Sequence, residues 1–217
     1  MTRAPDPSMT VPLITVNGVV SPTLEAPAAA RARLLALAGE HDFAIIEDDA
    51  YRELLPPGGS PPPLKHHDSD GRVLYCGTFA KAFSPAPRIG WLAAGRHTET
   101  ALLHKLMNTL STSIPNQMAV ASYLRDSRPD RRLARLRDTL ASNRARLADT
   151  VRRHFPVGSE VNTPAGGFFL WVTLPLGCDT LAHYPKALAA GVSFVPGALF
   201  SPSGRFGHCL RLNAGFA

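Results

Sequence analysis

The chain has 217 residues, 45% of them hydrophobic and 18% charged, and a formal net charge of +6. That composition supports a packed core in one or two domains and excludes a wholly disordered chain or a short disulfide scaffold. No apolar run approaches the roughly 20 residues of a membrane-spanning helix, and the basic balance permits an anionic ligand without naming one.

The polar opening MTRAPDPSMT reads as a loose arm, neither a secretory nor a transit segment. Residues 11–20, VPLITVNGVV, are extended and β-branched and predict a buried strand. An Ala/Leu/Arg segment over 27–39 predicts a helix, with Pro27 in its first turn and Gly39 as its stop. Residues 43–46 then form a short apolar run that ends in Glu47-Asp48-Asp49. Strand, helix and strand in this order predict a βαβ unit with parallel strands. A Pro/Gly/His/Asp loop occupies 56–72 and another strand 73–77. TFAK, PAPR and the apolar stretch 89–94 follow. Helical patterns cover 99–110, 116–125 and 129–155, the last with an apolar stripe of Leu133, Leu136, Leu140, Leu147, Val151 and Phe155. Beyond Pro156 the periodicity predicts a strand over 167–174, a helix over 179–190 and strands over 192–195 and 209–213. Two lobes result, a parallel α/β lobe ending near residue 115 and an α+β lobe behind it.

Ligands of open α/β sheets collect at the carboxyl ends of the parallel strands. One strand there ends in EDDAY and the next runs into TFAK. Asp48, Tyr51, Thr78, Lys81 and Arg88 therefore face one crevice: an acid, a phenol, a hydroxyl, an amine and a guanidinium. A lysine in that setting is a candidate Schiff-base nucleophile. A carboxylate suits a pyridinium nitrogen, and an arginine with a hydroxyl suits a phosphate. Taken singly, each has a plainer reading: an exposed acidic turn for Glu47-Asp48-Asp49, a surface amine for Lys81, a salt bridge for Arg211. His66-His67-Asp68 reads as a solvated loop rather than a metal site, and Cys76 as a strand residue rather than a thiolate. The arginines of the long helix, Arg131, Arg132, Arg135, Arg137, Arg144, Arg146, Arg152 and Arg153, read as a solvated face. Three cysteines far apart give neither a disulfide framework nor metal spacing and favour the cytoplasm.

In this order, EDDAYREL, GRVLYCGTFAKAFSPAPRIGW and LRLNAG resemble the fold type I, class I/II aminotransferases that depend on pyridoxal phosphate. NGVVSPT, PAGGFFLWVTLP and PGALFSPSGRFGHCLRLN are similar to the aminotransferase-like domain of MocR-type GntR regulators. The resemblance implies an aspartate aminotransferase-like α/β fold. The C-terminal part of the cofactor-binding large domain would fill 1–115, with connecting helices and a small domain over 116–217. Residue by residue, it implies that Lys81 forms the Schiff base with pyridoxal phosphate and moves the substrate's α-proton. Asp48 would pair with the ring nitrogen, Tyr51 and Ser21 with the ring's phenolic oxygen, and Thr78 and Arg88 with the phosphate. Arg211 would grip the α-carboxylate. Metal ligands are not implied.

Three departures stand out. Ser21-Pro22-Thr23-Leu24 replaces the family's Asn-Pro-Thr-Gly turn. Ala80 replaces the serine before the lysine, and Pro85-Ala86-Pro87-Arg88 replaces Pro-Gly-Leu-Arg. The family's amino-terminal part of the large domain, with its phosphate-cradling turn, has no counterpart here, so an open sheet edge and an apolar face are expected. Three functions follow from the resemblance. One is transamination between an amino acid and a 2-oxo acid. The second is the effector-binding domain of a regulator that senses pyridoxal phosphate, and the third an inactive remnant. The expected partners are a second copy of the chain or a missing amino-terminal half, with no direct nucleic-acid contact and no membrane.

Overall fold

The structure, a computed structural model, describes residues 13–17, 28–59, 61–126 and 128–215. Its chain divides into two compact units, Met1–Asp130 and Arg131–Ala217. In the first unit, β1 (Leu13–Asn17), β2 (Ala44–Asp48), β3 (Val73–Thr78) and β4 (Gly90–Ala93) form one sheet in that order. β1, β2 and β3 run parallel, and β4 returns antiparallel to β3. Helix α1 (Ala28–Glu40) joins β1 to β2, which is the βαβ unit expected from the apolar pattern. The helix runs past Gly39, and the left-handed residue that turns the chain is Asp42 at φ 45°, a conformation that aspartate tolerates better than most residues.

Alternation along β2 sends Ile45 toward α1, where it packs with Ala38, Phe43, Leu64 and Val73 against Leu34, Leu35 and Leu37. Each such side chain stabilises the unit by about 1.5–3 kcal/mol. Asp68 orders the loop over 61–72. Its carboxylate accepts from the Arg72 and Val73 N–H groups at 3.0 and 2.9 Å and from Lys65 Nζ at 2.8 Å. His66 and His67 stay exposed, and no group of three metal-ligating side chains occurs among the described residues. Helices α2 (Thr98–Thr109) and α3 (Ile114–Asp126) complete the unit. α2 buries none of its residues, and Leu102, Leu103, Leu106 and Met107 are all exposed.

Helix α4 (Pro129–His154) leads through the second unit. There β5 (Glu160–Asn162), β6 (Phe169–Thr173), β7 (Val195–Pro196) and β8 (Cys209–Asn213) form an antiparallel sheet in the order β5-β6-β8-β7, with α5 (Thr180–Ala189) between β6 and β7. β5 is too short for its periodicity to mark it in the sequence. The strand expected over 192–195 shrinks to Val195–Pro196. Leu170, Val172, Leu210 and Leu212 point to one face and pack on Ala148 and Val151 of α4. Phe169, Trp171 and Arg211 alternate onto the other face.

One arginine of α4 departs from the expected solvated face. Arg144 is 7% exposed and donates to the carbonyls of Gly167 and Ala165. Its burial lowers its basicity, and its role is to hold the turn that starts β6. Among the described residues no helix is long and apolar enough to cross a membrane.

Candidate active site

The acidic run at the end of β2 is not an exposed turn. Glu47 is 2% and Asp49 5% exposed. Glu47 shares the α1 face with Ile45; its carboxylate accepts from the N–H groups of Leu64 and Lys65 at 2.7 and 3.1 Å and from Arg31 at 3.5 Å. Asp49 accepts from Arg52 Nε and from the Tyr75 hydroxyl at 2.9 Å, while its Oδ1 is buried without a partner. Burial first, and then the bond to Asp49, pushes the Tyr75 phenol up to about 12, so it stays a donor.

Asp48 alternates onto the opposite face. It stands in register with Asn17 of β1 and Cys76 of β3, and its Oδ1 accepts from the Ala50 N–H at 3.3 Å. That Asx turn starts the short 3-10 turn Arg52–Leu54 and leads into Tyr51. By the same register, Cys76 and Thr78 share the Asp48 face. Burial and the neighbouring carboxylates push the Cys76 thiol up, so it is a poor thiolate.

The chain between β3 and β4 makes a closed loop. Phe79 N–H and the Thr78 hydroxyl both donate to the Ile89 carbonyl, at 3.1 and 3.2 Å. Thr78 Oγ1 also accepts from the Ala80 N–H at 3.1 Å, so its one donor is engaged within the loop. Asn116 of α3 donates to the Pro87 carbonyl at 3.0 Å. Between these ties Arg88 is held at φ 56°, a conformation disfavoured for a non-glycine residue and found where surrounding structure over-determines it. Lys81, exposed on the same loop, brings its Nζ to 5.5 Å from the centre of the Tyr51 ring.

Asp49, Glu47, Asp68, Asp42, Arg72 and Arg96 all enter ion pairs. Among the described residues Asp48, Lys81 and Arg88 do not, although all three sit at the carboxyl end of the parallel strands. Ser21 lies outside the described residues. Arg211 belongs to the second unit, where its guanidinium carbon lies 4.0 Å from the Phe169 ring centre and 5.0 Å from that of Phe200. Its Nε is buried without an acceptor. The sequence singled out Asp48 and Lys81 but passed over Asp49 and the aromatic neighbours of Arg211; nothing local marks residues whose role depends on face and register.

The family model for aminotransferase class I and II matches residues 2–215. The chain belongs to that family. It is 37% identical over 84% of its length to the uncharacterized HTH-type transcriptional regulator YdcR of Escherichia coli, covering 39% of that protein. To aromatic-amino-acid aminotransferase 1 of Thermococcus litoralis it is 36% identical over 88% of its length, covering 48% of the enzyme. The crystal structure of LysN, the α-aminoadipate aminotransferase of Thermus thermophilus in complex with N-(5'-phosphopyridoxyl)-L-leucine, superposes with a TM-score of 0.78. Identity is 32%, over 87% of this chain and 49% of LysN. The chain thus spans about half the length, or less, of the relatives it matches. The mixed α/β architecture is that of the pyridoxal-phosphate transferases.

Proposed function

We propose that this chain carries the attachment lysine and the carboxylate-binding arginine of a pyridoxal-phosphate aminotransferase, acting between an α-amino acid and a 2-oxo acid. The observation that supports this reading is the trio of charges without an ion pair at the carboxyl end of the parallel strands: Asp48, Lys81 and Arg88. An amine, a carboxylate and a guanidinium there fit a phosphorylated pyridine aldehyde, which needs an amine for its carbonyl carbon, an acid at its ring nitrogen and a cation at its phosphate. Bound there, the ring would supply the electron sink for the amino acid's α-carbon.

Lys81 supplies the attachment amine and moves the proton at the substrate's α-carbon. Asp48 holds a proton at the ring nitrogen, and Tyr51 is the phenol donor beside Lys81. Arg88 meets the phosphate, fixed by its left-handed backbone. Thr78 acts chiefly by closing the loop that carries Lys81, because its donor is engaged by Ile89. Ser21 is the candidate for a second bond to the ring's phenolic oxygen, and Arg211 for the α-carboxylate.

A second reading has its own support in the 37% identity to YdcR: the chain as a ligand-sensing part of a regulator. Either reading places it in the cytoplasm, with free cysteines at Cys76, Cys178 and Cys209. Its expected partner is a second copy of the chain.

Absorbance spectroscopy with added pyridoxal phosphate tests the reading. The wild-type chain should give a visible band that borohydride traps on Lys81 and that Lys81→Ala abolishes. Amino acids that move the band and yield a 2-oxo acid support the enzyme; movement without turnover supports the sensor. An identical band in Lys81→Ala would sink both.

A further inference from the structure

We propose that Phe169 and Phe200 are positioning residues that bracket the Arg211 guanidinium and hold it, without a counter-charge, as a receptor for a single carboxylate. This rests on the reading above that Arg211 takes the substrate's α-carboxylate, and it adds what fixes that group and why it is left unpaired.

Strand register builds the bracket. Arg211 of β8 stands opposite Trp171 of β6, so Phe169, two residues before Trp171, is its diagonal neighbour on the same sheet face. Phe200 comes from the short 3-10 turn Gly197–Phe200 that follows β7, and β7 itself pairs with β8 through Val195 and Arg211. Gly197 lets that turn sit close: a Cβ there would lie 2.4 Å from the Phe206 carbonyl oxygen and 2.7 Å from that of Cys209. Trp171 then buttresses the bracket, with its ring edge-on to Phe200 at 5.3 Å and to Phe206 at 5.7 Å.

Two ring faces at 4.0 and 5.0 Å attract a cation through their quadrupoles but do not neutralise it. No described residue accepts a hydrogen bond from the Arg211 guanidinium, and its Nε is buried and unpartnered, an arrangement unfavourable to a purely structural arginine. A structural salt bridge, the plainer reading from sequence, is absent among the described residues. With Nε walled in, an anion that displaces no ring meets the two Nη atoms, the fork that suits one planar carboxylate. The aromatic flanks offer a second anionic group nothing to bind.

The test uses the 15N-labelled full chain and needs no cofactor. The Arg211 Nε–Hε correlation is identified by its loss in Arg211→Lys. Ring currents should displace it upfield in the wild type, and Phe200→Leu should remove much of that displacement. Phe200 is 37% exposed, so this change leaves the core intact, and spectral dispersion checks the fold. Titration with sodium acetate, referenced to sodium chloride, should shift the signal saturably. Phe200→Leu or Phe169→Leu should weaken acetate binding about threefold to tenfold, and Phe200→Tyr should restore it. An unshifted Hε, or acetate binding equal in wild type and both leucine variants, overturns the bracket. A ring-shifted signal that Phe200→Leu moves but acetate never does supports the bracket and overturns the carboxylate reading on which it rests.

Discussion

Three consecutive carboxylates meet three different fates because side chains alternate along a strand and its exit turn. Glu47 goes under α1 to cap two backbone N–H groups, Asp49 goes to Tyr75 and Arg52, and Asp48 is left facing the other way. Asp49→Ala therefore removes the acceptor of two partly buried donors, Arg52 and Tyr75, and should lower the unfolding free energy by about 1–3 kcal/mol. Asp48→Ala should stay within about 0.5 kcal/mol and act on cofactor affinity instead; urea unfolding and ligand titration separate the two. Tyr75 adds a pH dependence. Its folded-state pKa is raised from 10.0 to about 12, by burial first and the bond to Asp49 second. The folded state thus holds the phenol proton more tightly than the unfolded chain does. That contribution is complete below pH 10 and is lost as pH rises through about 12. Urea midpoints measured across this window should fall in the wild type and flatten in Tyr75→Phe. The sequence points to Asp48 through its place at a strand end, but it leaves the pairing of Asp49 illegible. That pairing depends on Tyr75, 26 residues away.

At the level of elements, apolar periodicity located α1, α4, α5 and the main strands, because each buries one face and the pattern records it. It located α2 equally well, but a helical pattern alone does not say whether the helix is covered. Its leucines recur at helical spacing, but Leu102, Leu103 and Leu106 are 61%, 45% and 52% exposed. A pattern shows that a face is apolar, not what lies against it. Leu106→Ala should accordingly change stability by less than about 0.5 kcal/mol. Leu170→Ala, at a fully buried position of β6, should cost about 2–5 kcal/mol. Chemical denaturation of the two variants checks the contrast. The loop from Thr78 to Ile89 was legible as a motif, while its closure by paired donors on one carbonyl and its left-handed Arg88 were not, since both rely on Asn116 and Ile89 approaching in space.

Over the whole molecule, two compact units each carry part of the candidate chemistry: Asp48, Lys81 and Arg88 in one, Arg211 in the other. In the first, β1 and β4 form the sheet's edges among the described residues, every residue of β4 is exposed, and α2 presents an apolar face. Open edges and apolar faces of this kind favour association. Light scattering should show concentration-dependent self-association that Leu106→Lys together with Met107→Lys reduces. The sequence by itself determined the order and type of most elements and the family, because local periodicity and short motifs carry that information. Only the tertiary structure decided which charges are neutralised and which are left over. Pairing follows register, face and burial, and those bring Tyr75 to Asp49 and two phenylalanines to Arg211 across stretches of chain that no local pattern spans.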